Sequence, residues 1–173
     1  PDIPAIEQED LSLGMRGALL SALPELGDEP VCIISSNDVI DPSGYASLLS
    51  ASKKDGVDGA MLAQRVSQYF PGGYLVTSPG TERIAGIIEK PGEGREPSDL
   101  VNIVAHVHNH PQKLLDVLED AKSDRDDGYE SALTTLCKSM NYVAVPYEDS
   151  WNFVKYPWNI LDLTNRFLSG LKE

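Results

Sequence analysis

Val31-Cys32-Ile33-Ile34-Ser35-Ser36-Asn37-Asp38-Val39-Ile40-Asp41 passes from four apolar residues through small polar ones to a carboxylate. The apolar run is too short to span a membrane, has no helical period and follows Pro30. It predicts a strand buried on both faces, of the kind found in the middle of α/β sheets. Ligands of such sheets sit beyond the carboxyl ends of the strands. Asp38 falls there, where a carboxylate can hold a divalent cation against a phosphate. A plainer reading stays open, in which Asp38 and Asp41 make the turn that Pro42 and Gly44 complete.

Outward from this stretch, apolar segments of strand length alternate with helical patterns. Leu13, Ala18, Leu19, Ala22 and Leu23 share one helical face ahead of it. A helix from Ser43, with Tyr45, Leu48 and Leu49 inward, follows it. Further strands are predicted over Ala60 to Val66, Tyr74 to Thr77, Arg83 to Glu89, Leu100 to His108 and Tyr142 to Val145. Helices are expected over Pro111 to Ala121, Tyr129 to Met140 and Trp158 to Leu171. This alternation implies one α/β domain over 1–173 with a mixed sheet and no internal repeat.

The 173 residues suffice for a real core. A formal net charge of −13 speaks against a duplex nucleic-acid partner, which needs a basic footprint. No apolar stretch reaches membrane length and no signal peptide is visible. Cys32 and Cys137 read as reduced core residues of a cytoplasmic protein.

Several groups have the right chemistry for a site. Glu89-Lys90-Pro91 sets a carboxylate beside an ammonium at a strand end, suited to a sugar hydroxyl and a phosphate; an exposed charge pair at a turn is the alternative. Asn102 can bond a hydroxyl or cap its strand. His106, His108 and His110 share one face by the two-residue period, a spacing that can bind a metal or simply end a polar strand. Lys155 is the one cation of an aromatic stretch, Trp151 to Leu161, and can meet a phosphate. Trp151, Phe153 and Trp158 are expected in the core.

Taken in order, these pieces resemble the sugar-phosphate nucleotidylyltransferases, most nearly the glucose-1-phosphate thymidylyltransferases and archaeal-type uridylyltransferases. Gln8 and Leu13-Gly14-Met15-Arg16-Gly17-Ala18 look like the family's base-recognition segment. Ser36-Asn37-Asp38 stands where the family's strand-end aspartate binds Mg²⁺. Gly73-Tyr74-Leu75-Val76 resembles the segment whose glycine approaches the sugar. Glu89-Lys90-Pro91 matches the E-K-P motif, Val101-Asn102 the V-N of the next strand, and Tyr156-Pro157-Trp158-Asn159-Ile160-Leu161 a late P-W motif.

The resemblance implies a Rossmann-like three-layer sandwich with a mixed, mostly parallel sheet, of the nucleotide-diphospho-sugar transferase type. It implies transfer of a nucleoside monophosphate from a nucleoside triphosphate to a sugar-1-phosphate, with Mg²⁺. Lys90 would be catalytic, Asp38 would hold the metal, and Gln8, Gly14, Gly73, Glu89, Lys90, Asn102 and Lys155 would bind substrate. The sequence departs from the pattern at four places. The family's first strand–loop–helix unit, with G-x-G-T-R, has no counterpart, so the chain alone is expected to be inactive. The bared sheet would then favour a homo-oligomer or a complementing chain. Met15-Arg16 after Gly14 would crowd the base site, Val104 replaces a glycine, and Phe153 stands where a second metal aspartate is usual. The alternative reading is a non-catalytic homologue that binds a sugar phosphate or nucleotide, or acts as an assembly partner.

Overall fold

The computed structural model describes residues 3–121 and 127–171. A 3-10 turn at Leu11–Leu13 leads into α1 (Gly14–Ala22), and a second turn at Leu23–Glu25 precedes β1 (Val31–Ile34). Then come β2 (Asp38–Ile40), α2 (Pro42–Ser52), β3 (Gly59–Arg65), β4 (Gly73–Thr77), β5 (Ile84–Glu89) and β6 (Leu100–His108). The chain closes with α3 (Pro111–Asp120), α4 (Gly128–Ser139), β7 (Tyr142–Tyr147), β8 (Trp151–Phe153) and α5 (Asn159–Gly170).

The main sheet has the order β5-β4-β6-β3-β7, with β1 also on β6. The nine residues of β6 pair with β3 along one edge and with β1 and then β4, end to end, along the other. The registers make β1, β3, β4 and β7 run one way and β5 and β6 the other. The sheet is therefore mixed, with a shared direction for most strands. Reversal of β6 among them makes β3–β7 the parallel ladder and the remaining pairings antiparallel. β2 and β8 form a separate antiparallel pair.

Strand alternation divides the core into two layers. Met61 and Ala63 of β3, with Tyr142 and Ala144 of β7, face Leu114, Leu118, Leu133 and Leu136 of α3 and α4. Ala60 and Leu62, with Ile103, Ala105 and Val107 of β6, face Leu48 and Ala51 of α2. Helices on both faces of one sheet give the three-layer sandwich that the family resemblance implied.

Three sequence expectations need correction. The strand buried on both faces is β3, not β1: Cys32 is exposed and Ile34 keeps 49% of its surface. α2 lies chiefly over β3, β6 and β7. The second helix begins at Pro42 with Asp41 in the cap position, while Ser43 Oγ bonds Asp149 and Leu49 points outward. Proline at the first position explains this start, since its missing N–H has no helical partner there. Finally, α5 buries none of its residues, and Trp158 is exposed, stacked on Tyr156 at 4.7 Å.

The histidine run is also resolved. His106 and His108 project into the layer beneath α4, fully buried. His106 Nδ1 lies 2.8 Å from the Tyr129 hydroxyl and its Nε2 2.9 Å from Asn102 Oδ1. His108 Nδ1 lies 2.8 Å from the Tyr142 hydroxyl and its Nε2 3.1 Å from that of Tyr129. His110 has left the strand and faces Asp58 at the surface. All four buried ring nitrogens have hydrogen-bond partners, so the three-histidine spacing does not form a metal face.

Two predictions follow from this packing. A Cβ at Gly59 would lie 2.2 Å from the buried Tyr142 ring, which His108 holds in place. Gly59→Ala should therefore lower the urea unfolding free energy by about 2 kcal/mol; an unchanged midpoint would contradict the packing. Burial also holds both His106 and His108 down at about 3, from an ordinary 6.5. Depressed values mean that the unfolded chain takes up protons first, so stability is complete above pH 6.5 and falls as pH drops toward 3. Between pH 7 and 5 each ring should forfeit on the order of 2 kcal/mol. Asp38, a single carboxyl raised by burial, acts in the opposite sense from its ordinary 3.8 upward, against the two histidines. Urea midpoints that stay level from pH 7 to 5 would refute buried neutral rings.

Candidate functional site

The tip of β1 and the start of β4 reach the same short stretch of β6. Ser35 N donates to Val104 O at 2.8 Å, and Tyr74 stands opposite Val101. Gly73 pairs with Glu89 across β4 and β5. A Cβ on Gly73 would lie 2.9 Å from Glu89 Oε2 and 3.7 Å from Asn102 Cβ. The glycine thus leaves open the space between a carboxylate and an amide, as expected where a ligand approaches backbone closely. Glu89 also lines a cavity of about 250 Å³ with Ile87, Asp127, Glu130, Ser131 and Thr134.

Lys90 lies beside this group. Its φ is +45°, in the left-handed region that a side chain resists, directly before Pro91. The bond from Lys90 N to Gly72 O, 3.1 Å, helps to hold that bend. Nζ lies 3.3 Å from Glu89 Oε1, and the lysine side chain is 59% exposed. An ion pair so exposed contributes less than about 1 kcal/mol, so the ammonium can exchange it for an anion.

Asp38 starts β2 and therefore belongs to an ordered ladder, beyond the simple turn. The Trp151 indole N–H donates to its Oδ1 at 2.8 Å. Burial pushes the Asp38 carboxyl up, and the indole bond partly offsets this. Phe153 stands directly opposite Asp38 in the register. Asn152 stands opposite Val39, and its Oδ1 accepts from Arg166 Nη1 at 2.6 Å. Arg166 also pairs with Asp41. Phe70 packs on Trp151 and Phe153, with ring centroids at 5.1 and 5.2 Å. The same Phe70 ring fills the space a side chain on Gly72 would need. Asp38 and the Gly73–Glu89–Asn102 group are thereby joined through the segment 70–73.

Gln8 and Gly14 form a second group at the start of α1. Gln8 Nε2 donates to Asp10 O at 2.7 Å and to Gly14 O at 2.9 Å, with Gly14 at φ +54°. Gly17 is required beneath it, because a Cβ there would meet Gln8 Nε2 at 2.5 Å. Arg16 does not crowd this segment as expected. Its Nε donates to Leu118 O at 2.6 Å and its Nη2 to Glu119 O at 3.1 Å, covering carbonyls that the end of α3 leaves unpaired. Lys155 is exposed in the turn after β8. Among the described residues, no three His, Cys, Asp or Glu side chains form a metal-binding cluster.

Sequence reasoning missed the Trp151–Asp38 bond and the contact of His106 with Asn102. Both had a signal. Residues 151 and 153 share one face of a strand, and residues 102 and 106 share another.

The nucleotidyl transferase family model matches residues 3–162. The bifunctional protein GlmU of Methanococcus maripaludis is 26% identical over 174 aligned residues, covering 99% of this chain and 39% of that protein. This chain thus spans about two fifths of that relative. A UDP-glucose pyrophosphorylase complexed with UDP-glucose superposes with a TM-score of 0.81 at 18% identity, over 95% of this chain and 65% of the other. A UTP-bound UGPase from Acinetobacter baumannii gives 0.72 at 18%, over 90% and 56%. These two likenesses establish the fold. No helix among the described residues is long and apolar enough to cross a membrane. With the family model matching nearly the whole sequence and the E-K-P, V-N and glycine motifs converging on one end of the sheet, the chain belongs to the nucleotidyl transferase family.

Proposed function

We propose that this chain binds a nucleoside triphosphate and a sugar-1-phosphate in the crevice of Gly73, Glu89, Lys90 and Asn102. The reaction it serves is transfer of the nucleoside monophosphate to the sugar phosphate, with release of pyrophosphate. The convergence of Gly73, Glu89 and Asn102 carries this reading. Glu89 accepts from a sugar hydroxyl, Asn102 bonds another polar group of the sugar, and Gly73 gives the ring room. Lys90 and Lys155 meet phosphate oxygens as point charges. Two anions must approach one another, so charge neutralisation and alignment dominate the chemistry and no protein nucleophile is required. Gln8 and Gly14 are assigned to the base. The ligands of these neighbours, UDP-glucose and UTP, support the substrate class.

A divalent cation fits this site only in part. Asp38 has one carboxylate oxygen on Trp151 and a second able to serve a cation. Mg²⁺ is commonly held by one or two carboxylates together with substrate phosphates. Such an ion would neutralise phosphate charge. Asp38 would be its sole carboxylate in the β2–β8 ladder, so it should bind only together with a nucleotide.

Phe153 favours a second reading, in which the chain binds the nucleotide sugar without turning it over. The register decides how to test this. Directly opposed antiparallel residues place their Cβ atoms within about 5 Å on one face. Phe153→Asp should therefore create a two-carboxylate site with Asp38. Mn²⁺ binding without nucleotide, followed by electron paramagnetic resonance, should tighten by about tenfold or more. Loss of the Phe70 and Trp151 contacts should lower stability by about 1–3 kcal/mol. Unchanged Mn²⁺ binding in a folded variant would refute the geometry of the metal position.

Binding of UDP-glucose by calorimetry, with Mg²⁺ present, tests the main reading. Glu89→Ala should weaken it by about tenfold or more, since a carboxylate–hydroxyl bond is lost. On the second reading, the polypeptide should release no pyrophosphate from UTP and glucose-1-phosphate. Equal binding by the variant would overturn the role of Glu89, and sustained turnover would overturn the non-catalytic reading. Among the described residues β1 pairs only with β6, and self-association is expected through its other edge; a monomer by light scattering would count against it.

A further inference from the structure

The buried side chains Tyr142, His108, Tyr129, His106 and Asn102 make one continuous chain of hydrogen bonds that ends at the crevice. The links measure 2.8, 3.1, 2.8 and 2.9 Å from Tyr142 outward. Tyr142, Tyr129 and both histidines are buried to within 1% of their surface. Asn102, partly exposed, sits at the mouth next to Gly73 and Glu89.

The direction of this chain follows from its inner end. Among the described residues the Tyr142 hydroxyl meets one acceptor, His108 Nδ1. A buried hydroxyl hydrogen without an acceptor is costly, so Tyr142 donates there. His108, neutral in a dry layer, then carries its hydrogen on Nε2 and donates to the Tyr129 oxygen. Tyr129 sends its own hydrogen to His106 Nδ1. His106 is left with Nε2–H, which donates to Asn102 Oδ1. The reverse order would strand the Tyr142 hydrogen.

We propose that this relay locks the Asn102 amide with its oxygen inward and its NH₂ toward the crevice, and that His106 is the positioning residue. The crevice then offers a donor from Asn102 beside an acceptor from Glu89. That pair suits two neighbouring hydroxyls of one sugar, the first accepting from Asn102 and the second donating to Glu89. An oxygen at the Asn102 position would instead set two acceptors side by side. The ligand half of this inference rests on the proposed function; the relay itself does not.

Long-range proton–nitrogen correlation of the imidazole rings in uniformly ¹⁵N-labelled protein tests the relay directly. Both rings should be neutral Nε2–H tautomers with no titration between pH 5.5 and 8. An Nδ1–H tautomer or a titrating ring would overturn the proposal. The ligand half is tested with UDP-glucose as the probe in His106→Leu and His106→Gln, with thermal unfolding as a check on folding. Leucine removes the donor and should weaken binding by about tenfold, whereas glutamine retains an N–H and should stay within about threefold of the parent. Equal binding by the leucine variant would overturn the positioning role. A parent that binds no UDP-glucose, UTP or glucose-1-phosphate would sink the proposed function, while the tautomers still decide the relay.

Discussion

The two-sided pairing of β6 is the constraint on which the architecture depends. One edge is occupied by β3 throughout. The other is divided between β1 and β4, which meet end to end where β6 carries Asn102 to Val104. Neither strand could be lengthened at that junction without displacing the other. The gap between them brings a segment from early in the chain beside one that follows it by some forty residues, and Gly73, Glu89 and Asn102 come together as a result. The side chains of β6 alternate: Ile103, Ala105 and Val107 anchor α2, while Asn102, His106 and His108 supply the polar interior beneath α4.

That polar interior has a definite energetic character. Two imidazoles and two phenols are removed from water, and their bonds to one another and to Asn102 recover what desolvation costs. A dry, fully satisfied network resists rearrangement more strongly than an apolar layer of the same volume, because any single break leaves a buried polar group unpaired. The network touches both the Gly59–Tyr142 packing and the mouth of the crevice. On the proposed function, stability and ligand recognition draw on the same five side chains.

Much of the architecture was legible because its signals are local. Apolar runs of strand length gave β3, β6 and β7, and Glu89-Lys90-Pro91 and Val101-Asn102 pointed to the residues that converge. What failed depended on which neighbour covers which face. Val31 to Ile34 is as apolar as any buried strand, but Cys32 and Ile34 stay exposed on their face of the sheet. Ile160, Leu161, Phe167 and Leu168 have helical spacing, yet nothing among the described residues buries them. The histidines obeyed the two-residue period, but Tyr129 and Tyr142 come from α4 and β7, and no local pattern connects them to β6. Arg16 is similar, since the carbonyls that it covers lie about a hundred residues away.

On the proposed function, one end of the sheet, between β1 and β4, receives the nucleotide sugar. Amide chemical-shift mapping of the labelled chain during a titration with UDP-glucose and Mg²⁺ tests it most directly. The account predicts saturable changes centred on Gly73, Glu89, Lys90 and Asn102 and extending to Asp38. Changes confined to the groove of Ser47, Ser50, Lys54 and Pro146 between α2 and β7, with Gly73 to Asn102 unmoved, would contradict it.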